Sequence, residues 1–142
     1  MNDQILNMVD QHREDSFFTH AEFNDETRAL AERKLGLRLP EQYVEYLKTF
    51  GHGGVGGVDI LGVGCNGSLI FVEETLLYRK YGLPKNLVVI ENQDEWLICI
   101  DSVTGKIVSW SQGEDVLPEH DCFDDYVIEE FHEAIDNLEN LR

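Results

Sequence analysis

The sequence predicts an α+β fold in which a mainly antiparallel sheet is combined with an N-terminal helical hairpin and with a C-terminal helix that lies across it. Three observations lead to this prediction: two helical patterns separated by three residues, three short apolar strands in quick succession after residue 86, and one long amphipathic pattern near the end. A length of 142 residues, 42% of them hydrophobic, suits one packed core. We therefore expect a single domain over residues 1–142.

Two helices are predicted in the first 36 residues. Apolar residues at helical spacing indicate a first helix over about residues 3–13. A second helix begins near Asn24 or Asp25, since both residue types cap helix N-termini, and ends at Gly36.

A third helix follows after a short link. Pro40 has the backbone angle of a first helical turn, and Tyr43, Leu47 and Phe50 follow on one face. Gly51 ends this helix, so the second and third helices form the hairpin.

Glycine dominates the next segment, because eight of the 12 glycines fall between Gly51 and Gly67. A brief apolar strand at 58–61 lies within this segment, which we expect to turn tightly or to be mobile. Ser68 is a candidate cap for a fourth helix, which ends near residues 82–84.

Three strands follow at 87–91, 95–101 and 106–111, with polar turns between them. The middle strand is apolar on both faces from Trp96 to Ile100, so we expect it to be central and covered on both sides. The last helix, over about 123–140, has an apolar stripe, with carboxylates on much of its remaining surface.

The formal charge of −17 arises from 28 acidic and 11 basic residues. Such a chain repels phosphate backbones and anionic lipids, so we expect neither nucleic acid nor a membrane as a direct partner. Residues 86–142 hold 15 acids and 2 bases. Eleven carboxylates and no Lys or Arg lie between Glu114 and Glu139, which indicates either a solvated face or a surface for a basic partner.

The first residues lack the basic and apolar regions of a secretion signal, and the longest apolar runs are four or five residues. We therefore expect a cytoplasmic protein without a transmembrane segment. The cysteines, Cys65, Cys99 and Cys122, are widely spaced and are expected to be reduced and mostly buried.

A literal G-x-G-x-x-G pattern spans Gly62–Gly67, after the brief strand and before the fourth helix. Such a loop lets a pyrophosphate approach the backbone at a helix N-terminus, with Glu91 placed to bind a ribose hydroxyl. The chain lacks the further crossover helices of a dinucleotide-binding domain. A small nucleotide-binding enzyme that uses Gly62–Gly67 is kept as an alternative.

The sequence offers no coherent set of residues for catalysis or for a metal. His120, Asp121 and Cys122 have the residue types of a catalytic triad, but neighbouring residues on a loop point apart. The histidines lack metal-binding spacings, and the paired carboxylates lack a calcium-loop pattern. We therefore predict a protein that is not an enzyme and that has no cofactor or metal.

Two blocks of sequence carry a family resemblance. Residues 31–43 read A-E-R-K-L-G-L-R-L-P-E-Q-Y and are followed by Y-L at 46–47 and F-G at 50–51. Residues 95–101 read E-W-L-I-C-I-D and are followed by G-K-I-V-S-W at 105–110. Together with the last helix, these blocks resemble the SUKH superfamily over about residues 20–140. Its members resemble a fungal cell-wall synthesis regulator and are, in bacteria, chiefly immunity proteins of toxin systems.

The resemblance implies an α+β domain whose curved, mainly antiparallel sheet presents a binding surface, with no catalytic residues to transfer. It implies an immunity protein that binds a cognate polymorphic toxin with a basic surface and blocks its active site or substrate groove. The acidic charge favours a nuclease as that toxin, because nuclease grooves present Lys and Arg to anionic substrates. A cytoplasmic regulatory scaffold similar to the fungal regulator is an alternative.

Carboxylates in two predicted turns are the candidate residues for binding this partner. The first six lie between the last predicted strand and the first turn of the last helix, and the other two lie where the central strand begins: Glu114, Asp115, Glu119, Asp121, Asp124, Asp125, Asp94 and Glu95. Trp96, Trp110 and Tyr43 are expected in the core, because aromatic residues on strands and helix stripes are usually buried.

Overall fold

The computed structural model describes residues 1–141, and its first fifty residues are mainly helical. Helix α1 spans Asp3–Gln11 and is capped by Asn2, whose side chain accepts hydrogen bonds from two backbone N–H groups of the first turn. A 3₁₀ turn, Arg13–Asp15, leads into the short strand β1, Ser16–Phe18. The first predicted helix is confirmed.

Helices α2 (Asp25–Leu35) and α3 (Glu41–Phe50) form the predicted hairpin. Both predicted ends of α2 are confirmed, because Asn24 caps it and Gly36 ends it with a φ of 70°. The carboxylate of Glu32 accepts a backbone hydrogen bond of 2.7 Å from the link between the helices. The link is therefore held from within α2.

Four antiparallel strands form the main sheet in the order β3-β4-β5-β6. Their bounds are Leu87–Gln93, Trp96–Asp101, Ile107–Trp110 and Leu117–His120. As predicted, β4 lies inside the sheet, and four of its six residues are buried. Strand β1 pairs with β2, Gly53–Val55, in a separate two-stranded sheet.

Two helices pack against the main sheet. Helix α4, Ile70–Arg79, precedes β3 in the chain, and the hydroxyl of Thr75 accepts a hydrogen bond of 2.9 Å from the backbone N–H of Val89. Helix α5, Phe123–Asn140, lies across the sheet and buries Phe131. The architecture is the predicted α+β fold with a helical hairpin and a C-terminal helix. Every helix among residues 1–141 is too short or too polar to cross a lipid bilayer.

Two tyrosines of α3 anchor the core. Tyr43 and Tyr46 are fully buried, and their hydroxyls donate hydrogen bonds of 2.6 and 2.7 Å to the carbonyl oxygens of Leu61 and Gly53. The ring of Phe123 lies 5.4 Å from each tyrosine ring. These contacts connect α3 to the glycine-rich segment and to the start of α5.

Strand β3 contains a β-bulge at Ile90. Val89 pairs with Cys99 and Glu91 pairs with Ile98, so Ile90 is the extra residue. Because side chains alternate along a strand, this residue turns Glu91 to the face that carries Ile98. That face is the one covered by α5.

The glycine-rich segment is tightly packed. A Cβ atom added to Gly62 would lie 1.8 Å from the carbonyl oxygen of Gly51, and one added to Gly53 would lie 2.0 Å from that of Phe17. Gly53 also has a φ of 125°, which side chains rarely adopt. The expectation of a tightly turning segment is therefore confirmed, and Gly53 and Gly62 allow close contact between backbones.

Three features differ from the sequence predictions. The strand predicted at 58–61 is reduced to an isolated bridge between Gly53 and Ile60. Helix α4 begins after Leu69 and has no side-chain cap, so Ser68 is not its N-cap. Strands β1, β2 and β6 were not predicted, since each is three or four residues long and is stabilised by pairing with a partner strand.

Burial in the core, which the sequence predicts for both tryptophans, is confirmed for only one of them. Trp110 is buried with 4% of its surface exposed, as predicted. Trp96 is only partly buried, because it begins β4 at the end of the sheet.

The cysteines are all free, and burial differs among them. Cys99 is buried, and this burial raises its pKa to about 12. Cys122 is partly buried, whereas Cys65 is exposed. The expectation of mostly buried thiols is therefore wrong for Cys65, which lies in the glycine-rich loop.

Candidate functional site: an acidic surface around the last helix

Three of the predicted carboxylates line one cavity at the edge of the main sheet. Glu119 on β6, Asp121 in the following turn and Asp125 in the first turn of α5 surround a space of about 310 Å³. Lys106, one of the two basic residues after position 85, lines the same space and offsets part of its negative charge. We call this space the β6 cavity.

Asp124 has a different environment from its neighbours. Its backbone N–H donates a 3.0 Å hydrogen bond to the side chain of Gln42. Burial raises the pKa of its carboxyl, while the N-terminal amino group and the side chain of Asn2 oppose that rise. Asp124 therefore faces the start of the chain and helps to seat α5 there.

The other four predicted carboxylates lie on two separate loops and are exposed. Glu114 and Asp115 lie between β5 and β6, and Asp94 and Glu95 form the turn between β3 and β4. Asp94 has a φ of 61°, which Asp and Asn tolerate better than most residues. The structure thus divides the predicted set among a cavity, two loops and one internal contact.

A buried acid that was not among the predicted binding residues lies beneath α5. Only 8% of the surface of Glu91 is exposed, and its carboxylate accepts a short hydrogen bond from the hydroxyl of Tyr126 on α5. From the sequence, Glu91 is a candidate only for binding a ribose hydroxyl. Its position depends on the bulge at Ile90, which the alternating pattern of β3 does not reveal.

Two cavities adjoin along α5, because Gln93 and Glu130 line both. The larger, of about 520 Å³, lies between α5, the end of β3 and the turn at residues 56–58. The smaller, of about 270 Å³, lies between α5 and the face of β4, β5 and β6. We call the pair the α5 trough. Its acidic, amide and indole side chains are Glu91, Glu119, Glu129, Glu130, Glu133, Gln93, Asn137 and Trp96.

Burial and mutual repulsion shape the charge of this trough. Burial raises the pKa of Glu91 to about 7, and the hydrogen bond from Tyr126 opposes the rise only in part. Burial also raises the pKa of Glu130, and repulsion from Glu133 and Glu129 adds to that rise. In this trough Glu129 lies 3.3 Å from Nε2 of His120, whereas Glu91 and Glu130 make no ion pair among residues 1–141.

The G-x-G-x-x-G pattern does not form a phosphate cradle. Gly62 packs directly on the carbonyl of Gly51, and the N–H of Ile70 donates a 2.9 Å hydrogen bond to the carbonyl of Gly62. Phosphate-binding loops instead direct free backbone N–H groups towards the ligand. Among residues 1–141, no group of three or more His, Cys, Asp or Glu side chains is placed to hold a metal ion.

We expect nucleotides to leave the thermal stability unchanged. A ligand at 1 mM that bound with a dissociation constant of about 10 μM would stabilise the protein by about 2.7 kcal/mol and shift its melting temperature by several degrees. Differential scanning fluorimetry with 1 mM NAD, ATP or GTP is expected to show less than about 1 °C of change. A larger shift that disappears in Gly67→Asp would restore the nucleotide-binding alternative.

The fold and the acidic surface together define a small acidic α+β domain. The chain belongs to the SMI1-KNR4 cell-wall family, whose SUKH_5 model matches residues 2–132. This match confirms the resemblance found in the sequence. Proteins of this superfamily are generally immunity or regulatory proteins and not enzymes, so membership fits a toxin-immunity role in general.

A solved structure shares the fold. A protein from Pseudomonas syringae pv. tomato, known from a crystal structure, is similar to this chain with a TM-score of 0.57 and 21% sequence identity. The match covers 78% of this chain and 88% of that one. At this identity the likeness shows a common fold and nothing further about function.

Proposed function

We propose that this protein is a cytoplasmic immunity protein that binds a toxin with a basic surface, a nuclease domain, and blocks its active site or substrate groove. The observation that supports this most is the placement of Glu119, Asp121 and Asp125 around one accessible cavity in a chain of net charge −17. Family membership supports the general role. The identity of the toxin and the choice of face are our proposal.

Electrostatics explains why such a surface suits this task. A nuclease groove presents Lys and Arg to a phosphate backbone, so clustered carboxylates on a rigid domain can occupy the same positions. Complementary charge also speeds the encounter between two proteins, which matters when a toxin must be captured before it acts. The proposed contact surface is the β6 cavity, extended by the loops that carry Glu114, Asp115, Asp94 and Glu95.

We expect the double variant Asp121→Lys/Asp125→Lys to lose protection against the cognate toxin. Both side chains are exposed, so the fold should survive, whereas two new positive charges would repel a basic groove. Survival would be measured during co-expression with toxins encoded in the same genome, beginning with any toxin gene adjacent to this one. Asp124 is left unchanged, because its contacts with the start of the chain make it a poor test of binding.

A matched control separates local contact from total charge. Glu14→Lys/Glu22→Lys changes the net charge by the same amount at two other exposed acids and is expected to protect as well as the unchanged protein. Equal protection by both double variants would contradict our choice of face.

The description of the family as a cell-wall family keeps a second candidate, a regulatory scaffold similar to the fungal regulator. That function would require no adjacent toxin gene. It would be favoured if purification from cells recovered a host protein and if no toxin from the same genome were neutralised.

A further inference from the structure

The α5 trough offers a continuous space beside the last helix. Glu130 and Gln93 line both cavities, so a chain segment in one cavity can extend into the other. Neither cavity has a lysine or arginine among the described residues that line it. The last turn of α5 has no basic residue, so the negative end of the helix dipole adds to the charge of the carboxylates.

The smaller cavity combines this charge with an aromatic wall. The partly buried ring of Trp96 lines it together with Tyr126 and His120, whose rings lie 5.5 Å apart. Glu129 and Glu130 of α5 line the same cavity. Indole faces attract guanidinium groups, which also form paired hydrogen bonds with carboxylates in their plane. This combination fits arginine better than lysine.

The buried acid Glu91, which has no ion-pair partner among the described residues, also favours a cationic occupant. Glu91 is more than nine-tenths buried, lines the larger cavity, and makes no ion pair among residues 1–141. A buried carboxylate is costly without a counter-charge. A cation placed in the trough would supply that counter-charge to Glu91 and would relieve the repulsion among Glu129, Glu130 and Glu133.

We propose that the α5 trough binds an arginine-bearing basic segment of the partner protein, with one guanidinium held between the ring of Trp96 and the carboxylates of α5. The identity of the partner as a toxin rests on the proposed function. The chemistry of the occupant rests on the charge and the aromatic wall of the trough. This surface is separate from the β6 cavity except for Glu119 and His120, which line both.

A short peptide tests this chemistry without the toxin. The peptide acetyl-Gly-Arg-Gly-Arg-Gly-amide and its lysine counterpart would be titrated into the isotope-labelled protein at 150 mM salt, and the indole N–H resonance of Trp96 would be followed by NMR. We expect the arginine peptide to bind at least about threefold more tightly than the lysine peptide, because only guanidinium stacks well on indole. Trp96→Leu should remove most of this preference.

Two double variants on α5 provide a matched comparison. Glu130→Gln/Glu133→Gln removes two carboxylates of the trough and is expected to weaken binding of the arginine peptide about tenfold. Asp136→Asn/Glu139→Gln removes the same charge from exposed sites on the same helix outside the trough, and it should weaken binding less than about twofold. Equal losses in the two variants, or shifts that miss Trp96, would overturn the proposal.

Co-expression with the toxin separates this proposal from the proposed function. Toxin neutralised equally well by Glu130→Gln/Glu133→Gln and by the unchanged protein would refute the trough as the contact and leave the immunity function standing. Binding of the arginine peptide at Trp96 in a protein that neutralises no toxin would instead support the trough as a binding site and refute the immunity function.

Discussion

Replacing Gly62 by alanine is expected to destabilise the folded protein strongly. The new Cβ atom would lie 1.8 Å from the carbonyl oxygen of Gly51 and 2.9 Å from Cδ2 of Leu47. The backbone of Gly51 cannot withdraw freely, because the same oxygen accepts a 2.9 Å hydrogen bond from the N–H of Val63. We expect the free energy of unfolding to fall by more than about 3 kcal/mol, as measured by urea denaturation.

Gly67→Ala is the control for this change. Gly67 has a φ of 83°, but no atom lies within 4 Å of an added Cβ. Backbone strain should therefore be the only cause of destabilisation in this variant. That strain costs about 1–2 kcal/mol. Similar stabilities of the two variants would show that the segment around Gly62 adapts easily, contrary to the packing described above.

The second large effect is expected for Glu91→Gln. Burial raises the pKa of Glu91 in the folded protein from 4.5 to about 7, so the folded state holds a proton that the unfolded chain releases at lower pH. The free energy of unfolding must then fall as the pH rises from 4.5 to 7 and stay lower above that range. At about 1.4 kcal/mol per pKa unit, the loss reaches about 3 kcal/mol at pH 8.

Glutamine keeps an oxygen that can accept the hydrogen bond from Tyr126 but cannot ionise. The variant should therefore be more stable than the unchanged protein by up to about 3 kcal/mol at pH 8 and by about 1.4 kcal/mol at pH 5.5. Urea denaturation at the two pH values measures this difference. Glu139→Gln, at an exposed position of α5, should change stability little at either pH. A benefit for Glu91→Gln that is the same at both pH values would disprove the assignment of the ionisation to Glu91.

Local sequence signals predict the elements that depend on local chemistry. Asn24 and Gly36 bound α2 as expected, because a cap side chain and a left-handed glycine act within one turn. The apolar stripe of α5 and the two-sided apolar pattern of β4 likewise predict their burial. These signals are sufficient for the fold class and for the order of the main elements.

Features that depend on distant pairing escape such signals. Strand β1 is stabilised by β2, nearly forty residues later, and β2 contains two glycines that carry no strand preference. Strand β6 contains Pro118, which is acceptable there because β6 lies at the sheet edge. For the site, the sequence predicts acidic residues after β5, but it cannot show that Asp124 turns towards the start of the chain.

The bulge in β3 also determines how the protein responds to a change in chain length. Deleting Ile90 would let the ladder between β3 and β4 run without interruption. Every pair on either side of the bulge would keep its partner, so Glu91 would still lie opposite Ile98 and within reach of Tyr126. A slip of the pairing that kept the residue and placed Ile90 opposite Ile98 would instead turn Glu91 to the other face of the sheet. Loss of this one residue therefore preserves the acid beneath α5, whereas a change of register would put an apolar side chain in its place.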